Sequence, residues 1–141
     1  PRSTPKPSSA ASDVYKRQVL IKDNHIAVAG SVEAAVQHAR AAVGPDTTIE
    51  IEVESTEQLE AAIAAGADIV MLDNMSIDEM RAAVVLTDGR CRTEASGGIT
   101  IATIREVAKT GVDMISVGWI THSAPALDVA LDLEYLGPES I

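Results

Sequence analysis

From Val19 onward, short β-branched apolar runs alternate with longer stretches in which apolar residues recur every three or four positions. The runs fall at residues 19–21, 48–53, 69–72, 92–95 and 114–117 and read as strands. Between them, Val32, Ala35, Val36, Ala39 and Val43 share one helical face, as do Leu59, Ala62 and Ile63. The same spacing returns with Ile77, Met80 and Val84, then with Ile101, Ile104, Val107 and Ala108. Helix starts are marked chemically. Ser55–Gln58 and Ser76–Glu79 fit the capping-box spacing, and Ser31 and Thr100 are good caps for the other two helices. Gly66 and Gly111 stand where a helix must stop before the next strand.

Five strand–helix alternations with nearly continuous apolar strands predict an α/β fold with a parallel sheet of about five βα units. Both an open doubly wound sheet and part of a (β/α)₈ barrel satisfy that pattern. The first strand is not followed by Gly-x-Gly-x-x-Gly, which disfavours the dinucleotide-binding version. The barrel gains from where the unusual residues lie. Lys22, Glu52, Asp73, Ser96-Gly97-Gly98 and Gly118 all stand at or just past strand ends, which on a barrel converge on one mouth.

Each exit also has an ordinary explanation. Lys22-Asp23-Asn24-His25 can be a polar βα loop, and Asp73-Asn74 a turn pair. Glu50, Glu52 and Glu54 alternate on one strand face; in a sheet covered on both sides they need a cation or a basic partner. Two carboxylates at adjacent exits, Glu52 and Asp73, have the oxygen-donor character of a Mg²⁺ site. Glycines at 97, 98 and 118 either permit tight turns or aim backbone N–H groups at a phosphate. His122 either donates to a phosphate or pyrophosphate or orders its loop.

Residues 1–18 have no hydrophobic periodicity and are expected to be a disordered tail outside the fold. The stretch from Ser12 to Gln18 resembles translated sequencing adapter, so the tail is expected to be non-native. Four of the 11 basic residues and one of the 21 acidic ones lie there, which leaves a formal charge near −13 on the remainder. Such a field repels nucleic acid and anionic lipid. A lone cysteine, Cys91, excludes an internal disulfide and fits a reducing, cytoplasmic setting. No apolar run reaches membrane-spanning length.

The ordered motifs at residues 19–26, 50–53, 71–74, 94–99 and 111–113, with Gly118 and Thr121-His122-Ser123, together resemble the C-terminal part of quinolinate phosphoribosyltransferase, from Val19 to about Leu133. The resemblance implies a partial TIM-like barrel over residues 19–137, with the N-terminal domain and early barrel strands missing. It implies condensation of quinolinate with phosphoribosyl pyrophosphate to nicotinate mononucleotide, pyrophosphate and CO₂ in NAD synthesis, by a homodimer or higher homo-oligomer. It further implies that Lys22, Asn24 and His25 contact substrate, Lys22 facing the pyridine dicarboxylate. Glu52 and Asp73 would hold the ribose hydroxyls and Mg²⁺-bound pyrophosphate. Ser96, Gly97, Gly98, Val117, Gly118 and Trp119 would bind the 5′-phosphate, and His122 would lie on the phosphate side. The upstream arginines, lysine and His-Arg pair of the family do not occur here, so the chain alone is expected to be inactive. Two alternatives are a related phosphoribosyltransferase-like protein of molybdenum transport and a non-catalytic α/β interaction module.

Overall fold

The computed structural model describes residues 18–118. Five strands, β1 (Gln18–Ile21), β2 (Thr48–Val53), β3 (Ile69–Asp73), β4 (Arg92–Ser96) and β5 (Met114–Ile115), lie side by side in sequence order. Helices α1 (Asp23–Ala29), α2 (Val32–Ala42), α3 (Thr56–Ala64), α4 (Ile77–Thr87) and α5 (Ile104–Ala108) fill the connections. Every neighbouring pair of strands is parallel. A doubly wound sheet reverses its strand order at a switch point. This sheet does not, so of the two predicted arrangements the barrel segment is the one observed.

Strand alternation sorts the residues. Ile49, Ile51, Val53, Val70, Leu72 and Ala95 are completely buried and form one core with Val32, Val36, Leu59, Ala62, Met80, Ala83 and Val107 of the helices. Burying each large aliphatic side chain stabilises the fold by roughly 1.5–3 kcal/mol. The intervening residues, among them Glu50, Glu52, Glu54, Met71, Asp73, Glu94 and Ser96, therefore point to the opposite face.

The N-terminal end of the sheet is tied by a device used twice. After Gly66 and Gly111, each with positive φ, an aspartate precedes the next strand. Asp68 Oδ2 accepts from the Ile49 amide at 2.8 Å, and Asp113 Oδ2 from the Thr93 amide at 2.7 Å. Arg40 donates to Asp68 Oδ2 and to the Thr47 and Gly66 carbonyls, pinning α2 to that end. The repeat locks the strand starts, leaving the opposite end to carry the site.

Several predicted boundaries move. Gln18, assigned to the tail from the sequence, is the first residue of β1 and pairs with Thr48; residues 1–17 lie outside the described residues. Asp23-Asn24-His25 is not a loop but the first turn of α1, a helix hidden because four polar residues precede its apolar ones. His25 Nδ1 accepts from the Lys22 amide at 2.9 Å, and Gly30 ends the helix in the left-handed conformation. The predicted box at Ser55 is half formed: Ser55 Oγ caps Gln58, but Gln58 Oε1 takes the Glu54 amide instead. At Ser76 and Glu79 both bonds form. The last helix begins at Ile104, not beside Thr100: residues 101–103 form a turn in which the Thr100 carbonyl accepts from the Thr103 and Ile104 amides and Thr103 Oγ1 accepts from the Thr100 amide; Ile101 is left exposed. β5 ends at Ile115, short of 117.

Candidate active site

A cleft of about 350 Å³ opens at the C-terminal ends of β1–β4, lined by Lys22, Asp23, Ile26, Glu52, Glu54, Gln58, Asp73 and Ser96. The register explains the convergence. Ile21 pairs with Ile51, so Lys22 and Glu52 emerge together; Asp73 pairs with Ser96. Four of the five strand exits singled out from sequence thus line one cleft.

Lys22 Nζ lies 3.2 Å from Glu52 Oε1; the lysine is half exposed and the glutamate mostly buried. Among the described residues, four carboxylates and one ammonium line the cleft, an oxygen-rich set. Asp73 Oδ2 accepts from Asn74 Nδ2 at 2.7 Å. The three carboxylates of β2 have different fates. Glu54 is exposed at the rim, Glu52 pairs with Lys22, and Glu50 is almost fully buried one layer deeper. Gln18 Nε2 donates to Glu50 Oε2, and across the sheet Ser116 Oγ donates to Glu94 Oε1. Burial, reinforced by the neighbouring Glu94 carboxylate, pushes the Glu50 carboxyl up to about 7.

Ser96 lines the cleft, and Gly97 and Gly98 follow it with φ of 84° and 57°. A side chain at Gly98 would meet open space, whereas one at Gly97 would collide with Asn74, whose backbone nitrogen is 2.7 Å from the site of the missing Cβ. The loop therefore presents bare backbone at Gly98 and close packing at Gly97. The five-residue α5 starts only at Ile104, so the glycine backbone and not a helix N-terminus carries the phosphate reading.

Asn24 and His25 do not line this cleft. His25 instead borders an apolar groove with Val19, Leu20, Val28 and His38. Val117 is half-buried and packs on the core. Trp119 and His122 lie outside the described residues. Asp23, Glu54 and Gln58 were not picked out as site residues from sequence. The alternation of Glu50, Glu52 and Glu54 carried a signal for the second; Asp23 and Gln58 needed α1 and the displaced cap to be known. Cys91 is buried, and burial pushes its thiol up, which disfavours the nucleophilic thiolate. No helix among the described residues is long and apolar enough to cross a membrane.

Comparison with known proteins gives a consistent neighbourhood. The family model described as "Quinolinate phosphoribosyl transferase, C-terminal domain" matches residues 14–132. The "Probable nicotinate-nucleotide pyrophosphorylase (carboxylating)" of Bacillus subtilis (strain 168) is 47% identical over 123 residues, covering 87% of this chain and 42% of that protein. The Rattus norvegicus nicotinate-nucleotide pyrophosphorylase (carboxylating) is 41% identical over 118 residues, 82% of this chain and 40% of its own length. The crystal structure of NadC from Streptococcus pyogenes superposes with a TM-score of 0.72 at 46% identity, covering 79% of this chain and 39% of that one. The chain thus spans about two fifths of the length of these relatives.

Proposed function

The chain belongs to the quinolinate phosphoribosyltransferase family, and we propose that its strand exits form the C-terminal half of a site that joins quinolinate to phosphoribosyl pyrophosphate. The products are nicotinate mononucleotide, pyrophosphate and CO₂. The observation that carries this reading is the single cleft in which Lys22, Glu52, Asp73 and Ser96 meet.

Each residue has a task that follows from its chemistry. Transfer of the phosphoribosyl group passes through a sugar with oxocarbenium character as pyrophosphate departs. The Glu52 and Asp73 carboxylates accept from ribose hydroxyls and favour that developing positive charge. Two carboxylates at adjacent exits also suit Mg²⁺, which takes one or two protein carboxylates and fills its shell with water and substrate oxygens. When bound, the ion offsets the charge that gathers on the leaving pyrophosphate. Lys22 meets a quinolinate carboxylate with a fixed cation, exchanging or sharing its Glu52 partner. Backbone groups of Ser96, Gly97 and Gly98 hold the 5′-phosphate with little basic charge.

Among the described residues one ammonium faces four carboxylates, which cannot balance two polyanionic substrates, so further cations come from elsewhere in a protein of the relatives' length. The working protein is a homodimer or higher homo-oligomer of the cytoplasm, acting on small molecules and not on nucleic acid or membrane. The test is direct. A protein extended to the length of its relatives, given quinolinate, phosphoribosyl pyrophosphate and Mg²⁺, should form nicotinate mononucleotide and CO₂ detectable by mass spectrometry. Failure to form the nucleotide would overturn the reading.

A further inference from the structure

Between the Asp73 carboxylate and the glycine loop stands Asn74, with a backbone φ of 52°. Left-handed backbone is uncommon outside glycine, and Asn is among the residues that tolerate it best. Strain of that kind persists only where surrounding structure holds it, and here three contacts do so. Asn74 Nδ2 donates to Asp73 Oδ2 at 2.7 Å. The Asn74 amide donates to the Ser96 carbonyl at 3.2 Å, continuing the β3–β4 ladder one step past the Asp73–Ser96 pair. The Asn74 side-chain amide also fills the space that a Cβ on Gly97 would need.

We propose that Asn74 is a positioning residue that fixes the Asp73 carboxylate relative to the Ser96–Gly98 backbone. One face of its amide holds a carboxylate oxygen; the other abuts the loop. Asp73 is half-buried at the end of its strand, where a one-residue exit would otherwise allow its side chain several rotamers. The bond leaves that carboxylate one orientation, and the backbone bond to Ser96 sets the spacing between the β3 exit and the β4 exit. A ligand bridging the two exits then meets both halves already in place, so less ordering is required on binding. Gly97 belongs to the same device: its missing side chain is what lets the Asn74 amide close on the loop.

This inference rests on reading Asp73 as the carboxylate that faces Mg²⁺ and the ribose. Its test uses protein extended to the length of its relatives, with Mn²⁺ as a spectroscopic probe in the presence of phosphoribosyl pyrophosphate. Asn74→Ala must adopt a left-handed φ with a Cβ and can lose stability for that reason alone. Asn74→Gly keeps the backbone and removes only the amide, so it is the decisive variant. Asn74→Gly should weaken Mn²⁺ binding, read by electron paramagnetic resonance, by about tenfold or more, the scale of a hydrogen bond to a charged group. Quinolinate affinity should stay within about twofold and the urea midpoint should hardly move, a split that a merely structural role does not produce. Asp73→Ala is the reference arm. Mn²⁺ binding lost in Asp73→Ala but unchanged in Asn74→Gly overturns the positioning role while leaving the reading of Asp73 intact. Unchanged binding in both overturns that reading and the positioning role together.

Discussion

Lys22 Nζ and Glu52 Oε1 lie 3.2 Å apart across the exits of β1 and β2, so a cation and a carboxylate with different ligands in the proposed reaction are partners in the cleft. The pair neutralises each group until substrate arrives. With its lysine half exposed to solvent, such a pair adds little stability, on the order of 0–1 kcal/mol, so its value lies in placement.

Lys22→Ala in the extended protein should therefore weaken quinolinate binding by about 10- to 100-fold, the loss of one charge-assisted bond to a substrate carboxylate. Phosphoribosyl pyrophosphate binding should fall much less. Isothermal titration with each ligand separates the two, and equal losses would make Lys22 a scaffold residue.

Gly97 and Gly98 make a matched pair for stability. Both have positive φ, which costs roughly 1–2 kcal/mol for a residue with a Cβ. Only Gly97 adds a collision, with Asn74. Urea unfolding should rank Gly97→Ala clearly below Gly98→Ala; the reverse order would refute the close packing.

Glu50 sets a pH dependence whose sign can be worked out. Its carboxyl is raised from the usual carboxylate range to about 7, first by burial and then by Glu94. The folded state therefore holds a proton that the unfolded chain releases near pH 4.5. Its contribution to stability is complete below about pH 4.5 and fades as pH climbs through about 7. Glu50→Gln should flatten thermal stability across that window, as followed by circular dichroism. An unchanged slope would place the titration elsewhere.

The 141-residue chain on its own should release no pyrophosphate from quinolinate and phosphoribosyl pyrophosphate. Among the described residues its cleft holds one ammonium against four carboxylates, and the β1 and β5 edges of its sheet are unpaired. Substantial turnover in a coupled pyrophosphate assay would show that further cations are dispensable.

The parallel sheet was legible because it depends on patterns that local sequence carries. Ile49, Ile51 and Val53 alternate with Glu50, Glu52 and Glu54, and Ser31, Ser55 and Ser76 mark three of the helix starts with hydroxyls that do cap. Lys22, Glu52, Asp73 and Ser96 were legible as exit residues, and register brought them together. What escaped was set by competition between near neighbours. Asp23–Ala29 is a helix because His25 and Gly30 close its ends, a cue weaker than the polar run that masks it. Residues 101–103 close a turn on the Thr100 carbonyl before α5 begins, and Gln58 prefers the Glu54 amide to that of Ser55. Asn74 looked like half of a turn pair; its contact with Gly97 spans two strands and has no local signature.

The central claim is that Glu52 and Asp73 act together on the phosphoribosyl group. In the extended protein, pyrophosphate release should be measured with quinolinate, phosphoribosyl pyrophosphate and Mg²⁺ for wild type, Glu52→Ala and Asp73→Ala. Each substitution is expected to lower kcat/KM by roughly 10²–10³-fold, the effect of removing one electrostatic stabiliser. Wild-type-like kinetics in both variants would contradict the account.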